Sequence, residues 1–427
     1  MTARLPSDAR RILTAQALRA FAYGFGAVLL GVTLAQRGYS STEVGLVLTT
    51  VVVGTVIASM SLARYADRVG RRRCYVTMYL LLVVVGAVFS SPAPLWLLIV
   101  VSLSGALSTD VVESGPFTSL EQPMLATALA GTERLGGFGR YNAVATAGGS
   151  LGALAAGLPA LVHHWSRAAP PDQRWFLLFV PVAAAGALVA TTLSAAVEAP
   201  APASGSSGPA GRLGRSRPTV YRLCGLFALD SFGGGFVIQA FVAYWFSTRF
   251  KASIGVVGLV FFASGLLQTA SFLVAIRLGD RFGLLRTMVF THLPSNVLLA
   301  SVAFAPALGV AVGLWLARVC LSQMDVPARQ AYLMALVDPA EQTAAAAYTN
   351  TARYVTKPLG PVLAGAAQSV APGLPFVFAG SIKAVYDVVL WRWFRRVPIP
   401  DAGATGSPSG AQLPFPSLDR TTEEEAP

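Results

Sequence analysis

Twelve ionisable side chains stand inside long apolar runs, where a charge is costly and marks a candidate functional site. Asp230 lies in "LFALDSFGGGF" and Arg19 in "LRAFAYGFGAVLLG". Asp230 is a candidate coupling or substrate carboxylate, with Arg19 as its partner or as an anion contact. Asp110 and Glu113 are three residues apart and share one helix face. Two carboxylates side by side in low dielectric repel, which suits one of them to carry a proton. Arg318, Asp325 and Arg329 follow at spacings that stack them on one face as a charge ladder. Lys383 and Asp387 form an i,i+4 pair expected to neutralise itself. Arg353 and Lys357 add positive charge without a local acid and suit an anionic ligand. His292, in "FTHLPSN" beside Pro294, reads as a packing or hydrogen-bonding residue before a proton relay.

The elements that hold these residues follow from composition. Of 427 residues 54% are hydrophobic and 12% charged, about half the charge of a soluble domain, and the mean hydropathy is +0.60. A membrane-crossing helix needs roughly 20 mostly apolar residues. Twelve such runs are predicted, at 11–35, 42–63, 74–93, 96–121, 139–163, 175–197, 221–248, 252–276, 287–306, 308–334, 343–368 and 374–394. Lipid offers backbone amides no partner and period-two patterning is absent, so the runs read as helices.

The net charge of +12 is spread over loops between spans, which argues against nucleic acid. With both termini cytoplasmic, most Lys and Arg fall on inner loops, and the outer loops hold Arg37, Arg167, Arg174, Arg249 and Lys251. Three scattered cysteines make no disulfide framework, and no zinc spacing appears.

The stretch 198–220, rich in Pro, Gly, Ala and Ser, reads as a flexible cytoplasmic linker. It separates a bundle at 11–197, after a tail at 1–10, from a bundle at 221–396. The Pro-rich, acidic segment 397–427 is expected to be disordered. The bundles repeat one another. Gly45, Arg64, Asp67, Arg68 and Gly70 meet Gly258, Arg277, Asp280, Arg281 and Gly283 at a constant offset. At a slightly smaller offset Gln122, Glu133, Asn142 and Gly157 meet Gln330, Glu341, Asn350 and Gly365. Duplicated six-helix units frame a central pathway in many transporters.

The turn between the second and third runs, Ala63 followed by Asp67, Arg68, Val69, Gly70, Arg71 and Arg72, resembles the signature loop of the major facilitator superfamily. The resemblance covers 11–396. It implies an all-α membrane protein of twelve transmembrane helices in two pseudo-symmetric six-helix bundles. It further implies that Asp67 meets the start of span eleven and that Arg71 meets Glu121 at the inner end of span four, together latching the inner face. The second copy keeps Asp280, Arg281 and Gly283, but Leu284 and Leu285 replace the later arginines and Arg329 stands opposite Glu121 in the repeat.

The function implied is secondary active transport of a small organic molecule by alternating access, proton-coupled and by antiport toward efflux. The expected setting is the plasma membrane, with both termini cytoplasmic and the chain monomeric. Phe21, Tyr23, Phe232, Phe236, Phe241 and Tyr244 are candidate cavity aromatics. The alternative is a carrier of an organic or inorganic anion, suggested by Arg19, Arg318, Arg353 and Lys357. A sensor or a membrane enzyme fits less well. His163, His164 and His292 assemble no catalytic set, and no cofactor or metal is expected.

Overall fold

A computed structural model describes residues 5–109, 115–129, 133–166, 173–198, 213–338 and 341–397. The first half contains α1 (Ser7–Gln36), α2 (Ser41–Val69), α3 (Arg71–Ser90), α4 (Leu95–Ser102), α5 (Pro116–Ala128), α6 (Glu133–Ala155), α7 (Leu158–Trp165) and α8 (Phe179–Thr191). The second contains α9 (Arg217–Gly235), α10 (Gln239–Phe250), α11 (Ile254–Phe282), α12 (Leu284–Val302), α13 (Leu308–Ser322), α14 (Asp325–Leu336), α15 (Gln342–Thr356), α16 (Leu359–Val370) and α17 (Leu374–Phe394).

Local chemistry sets the ends in both halves alike. Ser40 caps α2 in a reciprocal box with Glu43, and Ser253, its repeat equivalent, caps α11. Gly70 (φ 106°) ends α2 and Gly283 (φ 86°) ends α11. Both turns need the positive φ that glycine alone adopts cheaply.

Among the described residues eight stretches are long and apolar enough to cross a membrane: Ser7–Gln36, Ser41–Val69, Arg71–Ser90, Gly137–Trp165, Gln173–Thr191, Arg217–Phe250, Ile254–Gly279 and Leu374–Phe394. The other four predicted spans also contain helix, but they are broken or carry polar side chains. They are α4 with α5, α12, α13 with α14, and α15 with α16. The opening spans of the two halves are the most enclosed. Their apolar windows are 83% and 72% buried, against 33–44% in the other six. They sit at the centre, sheathed by protein.

The predicted linker 198–220 is shorter at both edges. Arg217–Val220 already belong to α9. Glu198 accepts hydrogen bonds from the backbone N–H of Arg71 (2.6 Å) and of Arg72 (3.2 Å). It thereby satisfies two of the unpaired donors that begin α3. The 397–427 tail lies beyond the described residues, apart from Val397.

Close approaches between the halves concentrate at one end, and they are pseudo-symmetric. A Cβ on Gly45 of α2 would stand 2.5 Å from the Pro361 carbonyl of α16, and one on Gly258 of α11 would stand 2.4 Å from that of Ala153 in α6. Thr49 Oγ1 donates to Pro358 O (3.1 Å), and Tyr244 Oη to Tyr39 O (3.1 Å). The Gly70 and Gly283 turns lie at the opposite end.

Candidate functional site

Between the halves lies a cavity of about 290 Å³. Helix breaks surround it. Thr109 follows α4, Ile238 joins α9 to α10, Gln323 joins α13 to α14, and Lys357 joins α15 to α16. Interrupted helices at membrane depth turn unsatisfied backbone toward a pathway, which lipid-facing helices cannot do. The signals for these breaks were glycines 233–235, Pro327 and Pro358.

Eight of the twelve ionisable side chains line this cavity: Asp230, His292, Arg318, Asp325, Arg329, Arg353, Lys357 and Lys383. Asp230 is the hub. Its Oδ1 accepts from Lys383 Nζ (2.5 Å) and its Oδ2 from Arg329 Nη1 (3.1 Å). Arg329 also stands 3.4 Å from Asp325 Oδ2, which places that part of the predicted ladder on one face. Arg318 lies elsewhere. Its guanidinium stacks on Trp315, 4.9 Å from the ring centroid, and the indole N–H donates to Ser264 Oγ (3.1 Å). The buried Arg318 Nε makes no hydrogen bond among the described residues. The first half contributes uncharged hydroxyls, those of Thr109, Thr146 and Ser150.

Four expected pairings are corrected. Lys383 and Asp387 do not neutralise one another. Lys383 crosses to Asp230, and Asp387 accepts from Asn296 Nδ2 (2.8 Å) and faces His292 Nδ1 (2.9 Å). A helix neighbour is easily displaced when a second helix offers better geometry in low dielectric.

Arg19 does not reach Asp230. Its Nε and Nη2 donate to Glu121 at 3.1 and 2.8 Å. Glu121 in turn does not meet Arg71. It is wholly buried and also accepts from Tyr75 Oη (2.8 Å) and Tyr141 Oη (2.6 Å). Neither Arg19 nor Glu121 lines the cavity.

Nor does Asp67 meet span eleven. Its carboxylate is 58% exposed and pairs with Arg71 Nε at 2.7 Å. Arg68 and Arg281 are exposed beside these turns. The proposed cavity aromatics Phe21, Tyr23, Phe232, Phe236, Phe241 and Tyr244 are also absent from the lining, which takes Phe261, Phe272 and Trp315 instead. Asp110, Glu113 and the side chain of Asp280 lie outside the described residues.

The sequence reading missed His292 as a cavity residue. It is 3% exposed, and its Nε2 points toward Asp230 Oδ1 at 3.9 Å. Asn296, one helical turn on, was missed with it. Among the described residues no group of three or more His, Cys, Asp or Glu is arranged to hold a metal ion.

Two helical halves meeting at one end around a charged cavity define a membrane transporter. The family model of the Major Facilitator Superfamily matches residues 12–247, and the chain belongs to that superfamily. It is therefore a multi-pass membrane protein and not an enzyme. It is 26% identical over 413 residues to the uncharacterized membrane protein YJR124C of Saccharomyces cerevisiae, covering 89% of this chain and 92% of that one. Among solved structures it is similar to a D-xylose-proton symporter (TM-score 0.70, 15% identity, 90% of this chain and 98% of that one). It is also similar to the nucleoside transporter NupG (TM-score 0.69, 14% identity, 91% and 98%). These likenesses establish the fold.

Proposed function

We propose that this chain is a secondary transporter of a small organic anion, working by alternating access and coupled to protons. The observation that carries this reading is the cavity's charge. Among the described residues five basic side chains, Arg318, Arg329, Arg353, Lys357 and Lys383, face two acidic ones, Asp230 and Asp325. A cavity with excess positive charge in a low-dielectric wall concentrates anions and rejects cations. Arg318 is the leading anion contact, since its guanidinium is held over the Trp315 ring at the cavity wall and an arginine fork matches carboxylate or phosphate. This makes the anion carrier, second among the readings from sequence, the better supported one.

We assign the termini and the Gly70 and Gly283 turns to the cytoplasmic side of the plasma membrane, where their arginines satisfy the positive-inside rule. The sealed end then faces outward and the cavity opens inward. The export direction expected from sequence depends on no residue of the cavity, and flux in both vesicle orientations decides it.

The test is uptake by the purified chain in proteoliposomes of labelled mono- and dicarboxylates and phosphate esters, beside neutral sugars and nucleosides. Saturable flux of an anion that drops at least tenfold in Arg318→Gln is expected. Flux of neutral or cationic compounds with anions excluded would overturn the assignment.

A further inference from the structure

We infer that His292 is the proton carrier of this site, and that it trades places with Lys383 on Asp230 so that one proton and one anion load together. This rests on the anion reading above and adds the coupling residue and its sense. The carrying observation is a shared oxygen. Lys383 Nζ holds Asp230 Oδ1 at 2.5 Å, and His292 Nε2 faces the same oxygen at 3.9 Å. All three side chains line the cavity, so water reaches them.

The other ring nitrogen sets the tautomer. His292 Nδ1 stands 2.9 Å from Asp387 Oδ1, and Asn296 Nδ2 holds Asp387 Oδ2 at 2.8 Å. A neutral imidazole therefore donates Nδ1–H to Asp387 and leaves its lone pair on Nε2, toward Asp230. The charged and titratable groups around the ring are Asp230 from α9, Lys383, Tyr386 and Asp387 from α17, Arg329 and Asp325 from α14, and Arg318 from α13. Arg353 of α15 lines the same cavity.

The exchange balances. A proton from cavity water bonds to Nε2, and the imidazolium closes on Asp230 Oδ1. Lys383 then gives up that oxygen, and its ammonium swings on its four-carbon stem to an anion in the cavity. On the far side the anion leaves, Lys383 returns to Asp230, and Nε2 releases its proton to water. A monoanion carried this way moves with no net charge, and the anion and proton travel in the same direction. The sense is symport, opposite to the antiport expected from sequence.

Sulfate is a suitable probe because it does not titrate between pH 5 and 8. Calorimetry of the full-length chain in detergent, in buffers of different ionisation enthalpy, reads both affinity and proton uptake. The wild type should bind sulfate about tenfold tighter at pH 6 than at pH 8 and take up a proton with it. His292→Gln should bind with the same affinity at both pH values and without proton uptake. Lys383→Gln should lose the gain at pH 6, and it serves as the second variant if His292→Gln fails to fold. Sulfate binding that is pH-independent in the wild type, or equally pH-dependent in both variants, would overturn the exchange while leaving the anion reading intact. No sulfate binding by the wild type at any pH would sink both.

Discussion

The two halves carry one buried ion pair at corresponding places with the charges reversed. Arg19 and Asp230 lie within one residue of equivalence in the repeat, and Glu121 corresponds to Arg329. In the first half Arg19 binds Glu121, and in the second Asp230 binds Arg329. Their surroundings separate them. Glu121 receives two phenolic hydroxyls besides the guanidinium, and Arg19 is closed in by the rings of Tyr23 and Phe117. All of these side chains are buried. Asp230 instead shares its oxygens with a lysine and a histidine at a cavity wall. Tyr79, the repeat counterpart of His292, donates to the Ala15 carbonyl (2.7 Å) and ties α3 to α1. Tyrosines close off the pair in one copy, whereas in the other titratable groups stand around it at the cavity wall.

The comparison can be broken most directly through stability. Glu121→Ala leaves Arg19 buried and unpaired, together with two orphaned phenols. Truncating one partner of such a pair costs about 3–5 kcal/mol, enough to collapse thermal stability in detergent. Asp230→Asn should cost less than half as much, because cavity water can rehydrate Lys383 and Arg329, yet it should abolish transport. Equal destabilisation by the two variants, measured as midpoint shifts in thermal unfolding, would show that the halves do not differ in this way.

A middle-sized effect is expected at the seal between the halves. Gly258 and Gly45 make equivalent crossings there, each with a carbonyl where a Cβ would sit. Gly258→Leu overpacks that crossing by about 1–3 kcal/mol, which lowers the population sealed at that end by roughly 5- to 150-fold. Spin labels at Gly38 and Lys251, both beside the seal, should move apart in the variant. An unchanged distance distribution would mean that the crossing is not what holds this end shut.

Much of this architecture was legible from the chain. Apolar runs marked the helices, and a constant offset tied Gly70 to Gly283 before their shared positive φ was seen. Pairing was harder to read. Arg19 and Asp230 looked matched because the repeat relates them, but symmetry-equivalent residues meet only where they lie on the axis itself. Lys383 and Asp387 looked matched because they are one helical turn apart. In low dielectric, the helix neighbour lost to better-aligned groups on α9 and α12. His292 gave no periodic signal at all. Its neighbours there are Asp387 and Asp230, which are distant in sequence and approach it only after α9, α12 and α17 pack.

The smallest expected effect concerns the two glycine turns. At Gly70 the carboxylate of Glu198 sits over the first amides of α3, while α12 begins at Gly283 with no side-chain cap and no acid in its first turn. A carboxylate at a helix start contributes about 0.3–1 kcal/mol through the macrodipole, and salt screens it. Glu198→Gln keeps the shape and removes the charge, so stability should fall within that range, and the deficit should shrink as ionic strength rises. Glu198 also joins the end of the first bundle to the turn that carries Asp67 and Arg71. Loosening it should free that turn to move, raising the exchange of the amides at Arg71 and Arg72 without altering exchange at Leu284 and Leu285. A variant with unchanged exchange at Arg71 would mean that the turn is held by Gly70 and the Asp67–Arg71 pair alone, as its twin at Gly283 stands without a cap.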